Sequence, residues 1–122
     1  MKILIIDDDP LHLSSLETSL SVRGYDCRSY LSPVAAIDAF RNGGFDVVIT
    51  AVKMLEISCE EVLESILGID PEARVIFISG FDDIRIDPAI KRGVFGFFRK
   101  PVVIEELIDK IERIEKTQDF GN

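Results

Sequence analysis

Residues 2–9 read Lys-Ile-Leu-Ile-Ile-Asp-Asp-Asp, an apolar run that stops abruptly at three carboxylates. A continuous run of this kind, rather than an alternating one, is the pattern of a strand buried on both faces, as in a parallel sheet covered by helices on each side. Pro10 follows at a place tolerated in the first turn of a helix. Leu13, Leu16 and Leu20 then fall on one helical stripe, and Gly24 stops it. The first unit is therefore strand, acidic turn, helix.

The same alternation continues along the chain. A short mixed strand is expected around residues 26–30. Ser32 reads as an N-cap with Pro33 at the first helical position, and Val34, Ile37 and Phe40 form the buried stripe up to Gly43 and Gly44. Residues 46–50, Asp-Val-Val-Ile-Thr, give a third buried strand. Ser58 caps a helix carrying Val62, Ile66 and Ile69, and Glu61 completes a capping-box pattern before Asp70 and Pro71 turn the chain. Residues 74–79 form a fourth strand and residues 94–98 a fifth, and Val103, Leu107, Ile111 and Ile114 mark a closing helix. Between Gly80 and Gly93 the helix signal is thin: Asp87 as N-cap and Pro88 at the first position leave only Ala89 to Arg92, so a short fourth helix is expected after an irregular segment over 81–86.

This order predicts an α/β fold, a doubly wound five-stranded parallel sheet with five helices, the fourth short. Each parallel pair needs a crossover, and right-handed crossovers leave few topologies, of which the flavodoxin-like order 2-1-3-4-5 leads. With 122 residues and 47% hydrophobic content, one domain over residues 1–116 is expected, with 117–122 as a polar tail or the stub of a linker.

Composition excludes several functions. No stretch approaches the roughly 20 apolar residues of a membrane span, and the apolar start runs into aspartates rather than a cleavage site, so a cytoplasmic protein is expected. A net charge of -8 opposes direct binding to nucleic acid, which draws on clustered Lys and Arg. Cys27 and Cys59 stand far apart without partners for zinc or a disulfide framework, and are read as reduced thiols.

In an open parallel sheet, ligands bind beyond the carboxyl ends of the strands at the switch point in strand order. Asp7, Asp8 and Asp9 follow strand one, Thr50 and Ala51 end strand three, Ser79 and Gly80 end strand four, and Lys100 follows strand five. Crowded carboxylates repel, and a hard cation such as Mg²⁺ relieves this. The plain alternative is that Asp8 or Asp9 merely caps the first helix.

Four segments together resemble the receiver domains of bacterial two-component response regulators. They are Ile3 to Ile6 with Asp7-Asp8-Asp9-Pro10, the stretch Phe45-Asp-Val-Val-Ile-Thr-Ala-Val-Lys-Met54, Ser79-Gly80, and Gly93 leading to Phe97-Phe98-Arg99-Lys100-Pro101. The resemblance covers nearly the whole chain and implies a signalling module, not an enzyme, whose partners are a sensor histidine kinase and an effector domain or protein. It implies that Asp7, Asp8 and the main-chain carbonyl of Lys53 match the Mg²⁺ ligands. It further implies that Ser79 and Lys100 match the phosphate-binding hydroxyl and lysine, and that Phe97 matches the aromatic switch residue. Partners, or a second copy in a homodimer, would dock on the surface formed by the fourth helix, fifth strand and fifth helix.

Three positions depart from the pattern: Ala51 stands where the phosphate-accepting aspartate should be, Leu55 where a proline follows Met54, and Cys59 where a glycine precedes the third helix. A methyl group can neither attack phosphorus nor coordinate a cation, so phosphorylation should be absent and Mg²⁺ weakly held or lost. Lys100, with carboxylates to meet and no phosphate, is then free to pair directly with an aspartate. Thr50 is no substitute acceptor, because neighbouring side chains on a strand point to opposite faces.

Other readings stay open on sequence grounds. Ala51 could be an engineered change in a conventional phosphoaccepting receiver, although Leu55 and Cys59 would then go unexplained. A flavin or nucleotide binder shares the fold but lacks a glycine-rich loop after strand one. Cys59 reads either as a redox-sensitive thiol or as drift from glycine. Phe81, Phe95 and Phe97 form either an exposed docking patch or part of the core. His12, the only histidine, is expected to be exposed to solvent.

Overall fold

The computed structural model describes residues 1–80 and 93–120, the side chains of 117–120 excepted. The element order is β1 (Lys2–Ile6), α1 (Pro10–Ser21), β2 (Asp26–Tyr30), α2 (Pro33–Gly43), β3 (Val47–Ala51), α3 (Cys59–Ile69), β4 (Arg74–Ser79), β5 (Gly96–Arg99) and α4 (Ile104–Phe120). All neighbouring strands pair in parallel, in the order β2-β1-β3-β4-β5. This is the predicted topology. The expected short helix from Asp87, the irregular segment before it and Phe81 lie outside the described residues, among which there are four helices.

Successive side chains of a strand point to opposite faces, and both faces here are covered. Ile3 and Ile5 pack with Leu13, Leu16 and Leu20 of α1 and with Leu107 and Ile111 of α4. Leu4 and Ile6 pack on the other side with Ala36 and Phe40 of α2 and with Val62 and Ile66 of α3. That two-sided burial is why residues 3–6 read as one apolar run, each of them 0% exposed. Burying an aliphatic side chain of this size stabilises the fold by about 1.5–3 kcal/mol, so the central strands are anchored from both layers. The edge strand β2 alternates between exposed and half-buried positions, which is why it read as mixed.

The helix signals act through the expected atoms. Ser32 Oγ accepts from Ala35 N at 3.2 Å, and Gly44 closes α2 in the left-handed conformation at φ 64°. Ser58 Oγ accepts from Glu61 N at 3.1 Å, but the Glu61 carboxylate meets the Ser58 hydroxyl at 3.3 Å instead of the backbone N–H of a full capping box.

Three elements differ in extent from the sequence reading. β3 starts at Val47, because the Asp46 carboxylate accepts from Lys2 N at 2.8 Å and fastens the strand entrance. β5 covers Gly96–Arg99, with Phe95 held ahead of it by an N–H bond to Val75 O at 2.8 Å. α4 continues to Phe120, so residues 117–120, expected in a tail, prolong the helix.

Candidate functional site

The carboxyl ends of β1, β3, β4 and β5 converge on Asp7, which follows β1 and is 2% exposed. Its Oδ1 accepts from Asp9 N at 3.0 Å. Its Oδ2 accepts from His12 Nδ1 and lies 3.6 Å from Lys100 Nζ. Burial by itself would push this carboxyl upward. The His12 hydrogen bond, the Asp9 amide and the Lys100 charge together outweigh burial and hold it below its ordinary value of 3.8.

The three consecutive aspartates have separate tasks. Asp9 is the N-cap of α1, accepting from Leu11 N at 3.1 Å and His12 N at 3.5 Å, which is the capping role anticipated for one member of the cluster. Asp8 is exposed and turns toward the loop after β3, where its Oδ2 accepts from Leu55 N at 3.0 Å. Asp7 alone faces inward.

His12 is a correction to the sequence reading. Its side chain is only 20% exposed and its imidazole is turned onto Asp7. With Asp9 as cap and Pro10 opening the helix, the first turn of α1 folds position 12 back over the end of β1. A buried carboxylate there is a stronger partner than water, because an unsatisfied charge inside costs several kcal/mol. The signal was a histidine five residues beyond a strand-ending aspartate, across a capped turn.

Around this centre, Lys100 N donates to Ser79 O at 2.8 Å, extending the β4–β5 ladder and bringing the lysine to the site. Ser79 is 4% exposed at the end of β4 and Ala51 4% exposed at the end of β3, the strand between β1 and β4. Thr50 is fully buried, and its hydroxyl donates to the Ala51 carbonyl at 3.1 Å. Lys53 is exposed in the loop beyond. Leu55, whose N–H is held by Asp8, is 97% exposed, and Leu11 in the first turn of α1, which the sequence reading did not single out, is 84% exposed.

This donor set does not suit Mg²⁺. The cation needs near-octahedral oxygen coordination and gives up water reluctantly. Both oxygens of Asp7 are engaged, one oxygen of Asp8 is tied to the Leu55 amide, and Ala51 offers none. Among the described residues, no group of three or more His, Cys, Asp or Glu is placed to hold a metal ion.

Of the phenylalanines read as a docking patch, the two described ones, Phe95 and Phe97, lie on different faces of the sheet. Phe97 packs against the α2–α3 side of the core, while Phe98 and Phe95 pack against the α1–α4 side. The Phe95 ring is covered by the Arg74 guanidinium at 5.5 Å and by Lys110 Nζ at 4.9 Å. Cys59 is 4% exposed within the α3 side of the core, where a redox-sensing thiol would be out of reach. No described helix is long and apolar enough to cross a membrane.

Comparison with known proteins agrees with this fold. The chain matches the response regulator receiver domain over residues 3–112. It is 35% identical over 112 residues to the two-component response regulator ORR21 of rice (Oryza sativa subsp. japonica), covering 88% of this chain but only 16% of that protein. A receiver domain protein from Clostridium thermocellum superposes with a TM-score of 0.89 at 31% identity, over 99% of this chain and 98% of the other. The response regulator TrrA of Thermotoga maritima, crystallised with Mg²⁺ and BeF, superposes with a TM-score of 0.83 at 26% identity, over 93% of this chain and 97% of the other. The fold, the strand-end cluster and these matches lead to one conclusion: the chain belongs to the response regulator receiver domain family, the receiver module of two-component signalling.

Proposed function

We propose that this receiver domain acts as a protein-interaction module that signals without phosphorylation. Ala51 is read as occupying the phosphoacceptor position, with Ser79 and Lys100 as the remaining parts of a phosphate pocket and Asp7 and Asp8 as the residues that would otherwise serve a cation. The observation that carries this reading is the methyl side chain at the end of β3, 4% exposed and flanked by an Asp7 already paired with Lys100 and His12. A methyl group has no lone pair with which to attack phosphorus. A single engineered change at Ala51 would account neither for Leu55 and Cys59 nor for the imidazole on Asp7, which favours a site adapted as a whole.

Partners are read as proteins: a sensor histidine kinase, an effector domain or a second copy of this chain. The module then works by binding one of two conformations better, since a partner shifts an equilibrium only by its difference in affinity for the two states. The test is incubation of the chain with Mg²⁺ and acetyl phosphate, followed by intact mass measurement. No mass increase is expected. A gain of one phosphoryl group, labile as an acyl phosphate is, overturns the proposal.

A further inference from the structure

We propose that His12 is the residue that closes this site to divalent cations, its imidazole occupying, together with the Lys100 ammonium, the oxygen of Asp7 on which such a cation would sit. The inference deepens the reading above and rests on its placing of Asp7 in the cation-binding position. It adds that loss of the carboxylate at Ala51 is not the whole reason for a metal-free pocket.

A carboxylate carries about four lone-pair sites, two on each oxygen. On Asp7, Oδ1 serves the Asp9 amide, while Oδ2 serves the imidazole and faces Lys100 Nζ at 3.6 Å. Oδ2 therefore already has two partners. A cation binding there must displace one of them, and Mg²⁺, which tolerates little departure from octahedral geometry, cannot slip between them.

The two partners differ in how easily they leave. Lys100 reaches Asp7 through a long flexible stem and is 30% exposed, so its ammonium can swing into water with little loss. His12 has only two side-chain torsions, is 20% exposed, and sits in the first turn of α1, which is pinned by Pro10 and by two N–H bonds to the Asp9 carboxylate. Its imidazole is the fixed member of the pair. Restoring an aspartate at position 51 supplies a third carboxylate but leaves this ring where the cation must go.

The experiment is calorimetric titration of the full chain with Mg²⁺, without any phosphodonor. A direct heat measurement suits a chain that has no tryptophan to report binding. Four proteins are compared: the unaltered chain, Ala51→Asp, and Ala51→Asp combined with either His12→Leu or His12→Ser, neither of which can hydrogen-bond Asp7 as the imidazole does. Far-UV circular dichroism and urea unfolding establish which are folded, and two replacements at position 12 guard against loss of one. The double variants are expected to bind Mg²⁺ at least about 10-fold more tightly than Ala51→Asp alone, the scale of effect of groups that position a metal ligand. If Ala51→Asp alone binds as tightly as the folded double variants, the role of His12 is overturned. If the unaltered chain accepts a phosphoryl group while the Mg²⁺ series behaves as expected, the phosphorylation-independent reading falls and the His12 assignment stands.

Discussion

Lys100 Nζ stands 3.6 Å from Asp7 Oδ2, tying the loop after β5 to the end of β1 across the two strands that separate them in the sheet. The pair joins the last strand to the first at the end where β1, β3, β4 and β5 converge. Asp7 is 3% exposed at the side chain and Lys100 30%, so solvent screens the contact only in part. Replacing Lys100 by methionine keeps the stem and removes the charge, leaving Asp7 to His12 and the Asp9 amide. The expected loss is small, about 0.5–1 kcal/mol, the scale of an ion pair with one partly exposed member and no hydrogen bond at this distance. Lys100→Met should lower the urea midpoint without changing the slope, and an unchanged midpoint would show that the pair contributes nothing.

The same carboxylate makes stability depend on acid. Burial pushes Asp7 up, but the His12 hydrogen bond, the Asp9 amide and Lys100 leave it below 3.8 in the folded state. A carboxyl with a depressed folded value contributes its full stability above its unfolded value and loses it as pH falls through the folded one. The window therefore lies below 3.8, the ordinary value of this carboxyl. Urea midpoints measured from about pH 5 down to about pH 2 should fall more steeply for the unaltered chain than for Asp7→Asn. Parallel curves would rule Asp7 out as a source of acid sensitivity.

What could be read from the chain follows from how local each signal is. The run Ile3 to Ile6 announced a two-sided central strand because every side chain in it is buried. Ser32, Pro33 and Gly44 announced α2 because capping acts within a few residues. The start of β3 was misplaced by one residue because Asp46 is held by Lys2, 44 positions away. The pairing of His12 with Asp7 crosses from strand to helix, so neither the period of a strand nor that of a helix reveals it. Phe95 and Phe97 were read together as either a docking patch or part of the core, but Phe95 precedes β5, and the two rings pack on opposite faces of the sheet.

Alkaline stability should report on Tyr25. Burial, then the hydrogen bond and charge of Glu115 and the charge of Glu112, push its hydroxyl from 10.0 up to about 12, against a smaller opposing pull from Arg23. A raised folded value means that the unfolded chain ionises first, so stability is complete below pH 10 and is lost as pH rises toward 12. Tyr25→Phe removes the ionisable hydroxyl, and its unfolding midpoint should fall less between these two pH values. Equal falls in both proteins would assign the alkaline loss to other groups.

Two glycine-to-alanine changes inside helices should move stability in opposite directions. Gly68 lies in α3, and a methyl group added there meets nothing within 4 Å. Gly68→Ala should therefore stabilise by about 0.5–1 kcal/mol, through helix propensity and the reduced freedom of the unfolded chain. Gly43 ends α2, and a methyl group there would collide with Cε2 of Phe45 and lie 2.7 Å from its Cδ2. The Phe45 ring cannot simply turn away. It stacks on Phe40 at 6.4 Å between centroids, and Lys2 Nζ sits over it at 4.7 Å while also donating to Gly43 O at 2.6 Å. Gly43→Ala must push this assembly apart, at a cost of about 1–3 kcal/mol, the usual scale of overpacking. Thermal unfolding should show a rise of a few degrees for the first variant and a fall for the second. A rise for both would mean that the Phe45 ring yields freely and that the contact at the end of α2 places no limit on residue size.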